Sequence, residues 1–151
     1  MNPYLRTAKY YETDQMGVIH HSNYIRWMEE ARVEMLDQMG YPYRRFEEMG
    51  YISPVLHVEC DYKKSVRFDD KVKIVVSLQS LGRVKFTLRY DIYNLSENGE
   101  LSACGTTTHC FLKQNGRPVL IDREMREFAE TLKGLQSQEA SDKNEAMTRE
   151  Q

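Results

Sequence analysis

SNYIRWMEEARVEMLDQMG, residues 22–40, decides the fold. Its apolar side chains Tyr24, Trp27, Met28, Ala31, Met35 and Met39 recur mainly at intervals of three and four, which gathers them into one helical stripe. Glu29, Glu30, Arg32 and Asp37 fall mostly on other faces. Ser22 or Asn23 can cap the helix start, and Gly40 can end it in the left-handed conformation. Such a helix needs a larger apolar surface on which to bury its stripe.

Downstream the period changes to two. Leu56, Val58, Cys60 and Tyr62 alternate with polar neighbours, as do Val72, Ile74, Val76 and Leu78, and then Val84, Phe86, Leu88, Tyr90 and Ile92. The threonine-rich run Ser102–Leu112 reads the same way. Asp69-Asp70, Gly82, Asn98-Gly99 and Asn115-Gly116 mark the turns. Long strands joined by short turns predict an antiparallel sheet, and the economical packing curls it around the first helix. Upstream, residues 4–11 read as a short aromatic strand. Beyond the sheet, Asp122 is expected to cap a second helix carrying Met125, Phe128, Ala129 and Leu132 on one face, with Gly134 at its end. The expectation is one domain over residues 1–133 and a polar, disordered tail over residues 134–151.

The chain of 151 residues is long enough to bury a core without disulfides or metal. A formal net charge of -2 offers no global attraction to nucleic acid or to an anionic membrane. No apolar run is long enough to insert into a membrane. Cys60, Cys104 and Cys110 form no metal-binding or disulfide pattern, and MNPYLRTAKYYETD has no apolar signal region. Free thiols in the cytoplasm are expected.

Between the first strand and the helix lies ETDQMGVIHHSNY, residues 12–24, without either periodicity. A carboxylate at Asp14 could take a proton from water or attack a carbonyl, and Gly17 could let the backbone approach a ligand closely. The helix start adds free N–H groups and a positive dipole end, suited to a carbonyl oxygen gaining charge. An Asp before a helix is more commonly a turn former or cap. His20 and His21, adjacent in sequence, are poorly placed to share one metal, and no metal site is expected.

The run from Asp14 through Gly17 to Tyr24, followed by IRWMEEARVEML, resembles the signature of the 4-hydroxybenzoyl-CoA thioesterase family of hotdog-fold proteins. The likeness extends over about residues 4–133, through YKKSVRFDDKVKI and LGRVKFTLRYDIYN. It implies an α+β hotdog fold: a long central helix wrapped by a curved antiparallel sheet, with a C-terminal helix. It also implies a homodimer or homotetramer with active sites at the subunit interface. The implied activity is hydrolysis of an acyl-CoA thioester without metal or cofactor, an acyl carrier protein thioester being the alternative donor. By position, Asp14 matches the catalytic base or nucleophile. His21 matches the residue whose backbone N–H polarises the carbonyl, and Tyr24 matches a tyrosine that shapes the site. Gln15-Met16 departs from the small residues of many relatives, and Met16 thereby bears on the acyl pocket.

Coenzyme A carries phosphates, so basic residues should flank the site. Lys63, Lys64 and Arg67 form one cluster, and Arg83 with Lys85 forms another, which the resemblance places near the nucleotide. Lys63, Arg83 and Lys85 join Gly17 as the expected substrate-binding residues. A solvated strand face explains Arg83 and Lys85 equally well. A non-catalytic acyl-CoA sensor and a hotdog dehydratase are the competing readings. Asp14 argues against the first, and the absence of a dehydratase motif against the second.

Overall fold

The computed structural model describes residues 2–135. Strand β1 (Tyr4–Thr7) leads through a 3-10 turn at Tyr10–Glu12 to helix α1 (Ser22–Gln38). A short helix α2 (Tyr43–Glu48) follows, then strands β2 (Val55–Tyr62), β3 (Lys71–Leu81), β4 (Lys85–Asn94) and β5 (Glu100–Cys110). Helix α3 (Ile121–Glu124) and a helix α4 over residues 126–135 complete the described chain. The strands form one antiparallel sheet in the order β1-β3-β4-β5-β2. Hydrophobic burial of α1 on this sheet gives the hotdog architecture, of the α+β class.

The periodicities explain the packing. Tyr24, Trp27, Met28, Ala31 and Met35 are buried on one face of α1, against Ile74, Leu78, Leu88, Tyr90 and Ile92 of the sheet. Each Met, Ile or Leu among them, fully buried, contributes about 1.5–3 kcal/mol. Register shifts at Val55/His57, Leu78/Ser80 and Ile92/Tyr93 interrupt the ladders, and irregularities of this kind bend strands and favour curvature. Gly105 of β5 has no side chain to hold the helix off. A Cβ there would lie 2.5 Å from the Glu59 carbonyl oxygen and 2.9 Å from Met28 Sδ.

Several expectations need correction. The first strand ends at Thr7, because the chain turns at Tyr10–Glu12. Arg32 points inward: it is buried, and its guanidinium donates to the hydroxyls of Tyr90 at 3.2 Å and Tyr43 at 3.4 Å. His21 takes the cap position of α1, and the first-turn amide of Ser22 donates to the His20 ring at 3.2 Å, so neither Ser22 nor Asn23 caps. Asp122 lies inside α3, whose cap is Leu120, and the backbone breaks at Met125. Gly134 does not end the second helix, which continues through the buried Leu135. Helix α2 went unforeseen. It is held by Phe46 in an aromatic cluster with Tyr41, Phe111 and Phe128. The expected disordered tail lies, from residue 136 onward, outside the described residues.

Candidate active site

The loop before α1 hangs from one residue, Glu12, which is 3% exposed. Arg6 of β1 donates to Glu12 Oε1 at 2.6 Å and to Glu30 Oε2 at 2.7 Å, and its guanidinium lies over the Trp27 ring, 5.0 Å from the centroid. Trp27 Nε1 donates to Glu12 Oε2 at 2.8 Å, and the Lys9 amide to Oε1 at 2.8 Å. Burial opposes ionisation of Glu12, but the hydrogen bonds from Arg6, Trp27 and Lys9 outweigh it and hold the carboxyl below its usual range. The Glu12 carbonyl in turn accepts from His20 N at 2.8 Å and Asn23 Nδ2 at 3.0 Å. Strand β1, the loop and the first turn of α1 are thereby one unit.

Within it, Asp14 and Val18 close a tight turn through Asp14 N to Val18 O at 2.8 Å, and Gly17 adopts φ +77° at the bend. Asp14 Oδ1 accepts from the Met16 amide at 2.8 Å and from the Val18 amide at 3.4 Å. The turn-forming role of an Asp is therefore present, but it occupies one oxygen. Among the described residues Oδ2 has no hydrogen-bond partner.

A cleft of about 250 Å³ is lined by Asp14, Met16, Val18, His21, Tyr24, Tyr62, Lys63 and Lys64. The His21 N–H has no partner among the described residues, while its carbonyl accepts from the Tyr62 hydroxyl at 3.0 Å and from Tyr24 N at 3.3 Å. Tyr24 is buried, and desolvation pushes its hydroxyl up to about 12, so it keeps its proton at neutral pH. Lys63 follows β2 directly, anchored by its amide to the Ser102 carbonyl at 2.8 Å.

The structure therefore brings Asp14, Gly17, His21, Tyr24 and Lys63 to one end of the sheet. It does not bring Arg83 and Lys85 there. They flank the turn from β3 to β4, and the whole of β3, about 35 Å at 3.2–3.4 Å per residue, separates that turn from the Asp14 end. Arg83 pairs with Asp122 at 3.4 Å. Lys85 is exposed, on the face opposite the buried Phe86 and Leu88, as the alternation predicts. Among the described residues no group of three or more His, Cys, Asp or Glu side chains could hold a metal ion. Glu12 and Tyr62 were missed as parts of the site. Tyr62 was legible only as a strand residue, and the partners of Glu12 lie too far along the chain to leave a local signal.

The thioesterase-like superfamily profile matches residues 9–130. The chain is 31% identical over 119 residues to the 1,4-dihydroxy-2-naphthoyl-CoA hydrolase of Thermosynechococcus vestitus, covering 75% of this chain and 80% of that one. The crystal structure of a DHNA-CoA thioesterase from Staphylococcus aureus superposes with a TM-score of 0.82 at 33% identity, covering 93% of each chain. A hypothetical protein from Aquifex aeolicus superposes with a TM-score of 0.78 at 38% identity, covering 86% of this chain and 98% of that one. The chain belongs to the thioesterase-like superfamily and is a thioester hydrolase with the hotdog fold.

Proposed function

We propose that this hydrolase cleaves acyl-CoA thioesters, with Asp14 as base or nucleophile and the His21 N–H as donor to the carbonyl oxygen. One observation carries the reading: a carboxylate oxygen and a helix-start N–H, both without partners among the described residues, belong to residues lining one cleft. Acyl transfer needs that pair of functions. In the base route Asp14 takes a proton from water, and the resulting hydroxide adds to the thioester carbon. The oxygen gains charge against the His21 N–H. Collapse of the tetrahedral adduct breaks the C–S bond, and the departing thiolate of CoA takes up the proton. In the nucleophile route the carboxylate adds first and breaks the C–S bond, expelling the CoA thiolate as a mixed anhydride forms. Water then cleaves the anhydride to the free acid and the restored Asp14 carboxylate, and the proton released goes to the thiolate. Tyr24, kept neutral, shapes the wall, Gly17 permits the bend, and Lys63 offers its ammonium to a CoA phosphate.

The names of the relatives favour an aromatic acyl group, as does the resemblance to the 4-hydroxybenzoyl-CoA family. A homodimer, or a dimer of such dimers, completes the site, because Arg83 and Lys85 reach a substrate at Asp14 only from a second copy. The three free thiols fit the cytoplasm.

The test is thiol release from acetyl-, palmitoyl- and benzoyl-CoA by the unaltered chain and by Asp14→Asn. The amide can keep accepting from Met16 N and Val18 N while losing the basic oxygen. Turnover should fall at least about a hundredfold, the scale of general-base catalysis, with fold unchanged. A near-normal rate in the variant would remove Asp14 from the reaction. No turnover on any of the three by the unaltered chain would redirect the assignment to acyl carrier protein thioesters.

A further inference from the structure

Tyr62, the last residue of β2, stands 49% exposed at the rim of the cleft. Its hydroxyl donates to the carbonyl oxygen of His21 at 3.0 Å. Its ring meets the Tyr24 ring edge to face, with centroids 5.0 Å apart, and the His21 imidazole similarly at 6.4 Å. Residue 21 is thus gripped through its carbonyl and its side chain by a strand 41 positions away. No other side chain donates to that carbonyl among the described residues. Among backbone donors, Tyr24 N also reaches it, at 3.3 Å, in the first turn of the helix.

The His21 N–H is in the same residue, two backbone torsions from that carbonyl. Whatever fixes the carbonyl restricts φ and ψ of residue 21 and so the direction of its N–H. We propose that Tyr62 is a positioning residue for the hydrolysis: it aims the His21 N–H at the developing oxyanion. The inference rests on the reading of His21 as that donor. Tyr62 sits where it can do this because the β2–β5 ladder carries it to the last pair, Tyr62 with Ala103, beside the start of α1. The hydroxyl thereby ties the start of α1 to the sheet, beside the anchorage that the Glu12 carbonyl gives it from the loop. An oxyanion donor must point at where charge develops, not at the resting carbonyl, so misdirection weakens transition-state binding more than substrate binding.

The test is Tyr62→Phe, assayed on the acyl-CoA from the panel that the unaltered chain turns over, with Asp14→Asn in parallel. Phenylalanine keeps both ring contacts and removes only the hydroxyl. The kcat should fall about tenfold, the order expected from loss of one hydrogen bond, while KM changes less than about twofold and the unfolding midpoint stays put. A purely structural role would move the midpoint and leave kcat alone. An unchanged kcat in Tyr62→Phe beside an inactive Asp14→Asn overturns the role of Tyr62 and leaves the site reading intact. Full activity in Asp14→Asn overturns the site reading, and the role of Tyr62 with it.

Discussion

Arg32 falls among the charged positions of the helix in sequence, yet its stem lies along the core and its head ends on two tyrosine hydroxyls. From Tyr90 the polar chain runs to Thr107 Oγ1 at 2.7 Å and on to His109 Nε2 at 2.6 Å. Burial, with the Arg32 charge adding to it, lowers His109 to about 3. The unfolded chain binds a proton at this histidine near 6.5, and the folded chain does not until about 3. Between those values the unfolded state holds more protons, so stability falls as pH falls. The slope attributable to His109 is at most about 1.4 kcal/mol per pH unit. Denaturation midpoints measured from pH 7 to pH 5 should decline, and His109→Gln should flatten that decline. An unaltered slope in the variant would assign it to other groups. At the same scale, Asp14 and His21 could be named as candidates, and placed in one cleft, because an acid, a glycine and a helix start lie within eight residues. Glu12 was not. Its meaning comes from Arg6 and Trp27, and a pairing across folded space has no period.

Among the elements, α1 and three of the four long strands announced themselves through periods of 3.6 and 2, and the fourth through its threonines. The short ones did not. Helix α2 spans only Tyr43–Glu48, too few residues for a stripe, and tertiary contacts of Phe46 hold it in place. The expected single C-terminal helix is divided at Met125, where φ is -133° and ψ 47°. Its apolar positions gave no sign of the break, since Ile121, Met125 and Phe128 are buried on both sides of it. How α1 meets the sheet depends on Gly105. Gly105→Ala would press a methyl group against the Glu59 carbonyl and the Met28 sulfur, forcing β2 or α1 outward. The unfolding free energy should drop by about 2 kcal/mol, within the usual range for overpacking, as chemical denaturation would show. A loss below about 0.5 kcal/mol would mean that the helix shifts freely.

For the whole molecule, β2 is a sheet edge with no neighbour beyond it among the described residues, and Val55 and Leu56 are each 46% exposed on it. Unprotected edges with apolar side chains favour pairing with another strand. Together with the distance between Asp14 and Arg83, this supports the proposed homodimer. Light scattering should return twice the chain mass or a multiple of it. Leu56→Lys should shift the population toward single chains and reduce turnover with it. A single-chain mass at full activity would overturn the shared site. The expectation of a homodimer or homotetramer came only through resemblance, because nothing in an alternating pattern tells which edge will be left bare.

The Asp14 turn has one more consequence. Met16 holds the carboxylate through its backbone amide, whereas its side chain stands 79% exposed at the cleft. The first contribution is common to every amino acid but proline, and the second differs with each. Substitution at position 16 can therefore reshape the wall of the cleft while the Asp14 carboxylate keeps its bearings, much as a lathe accepts new bits without moving its spindle.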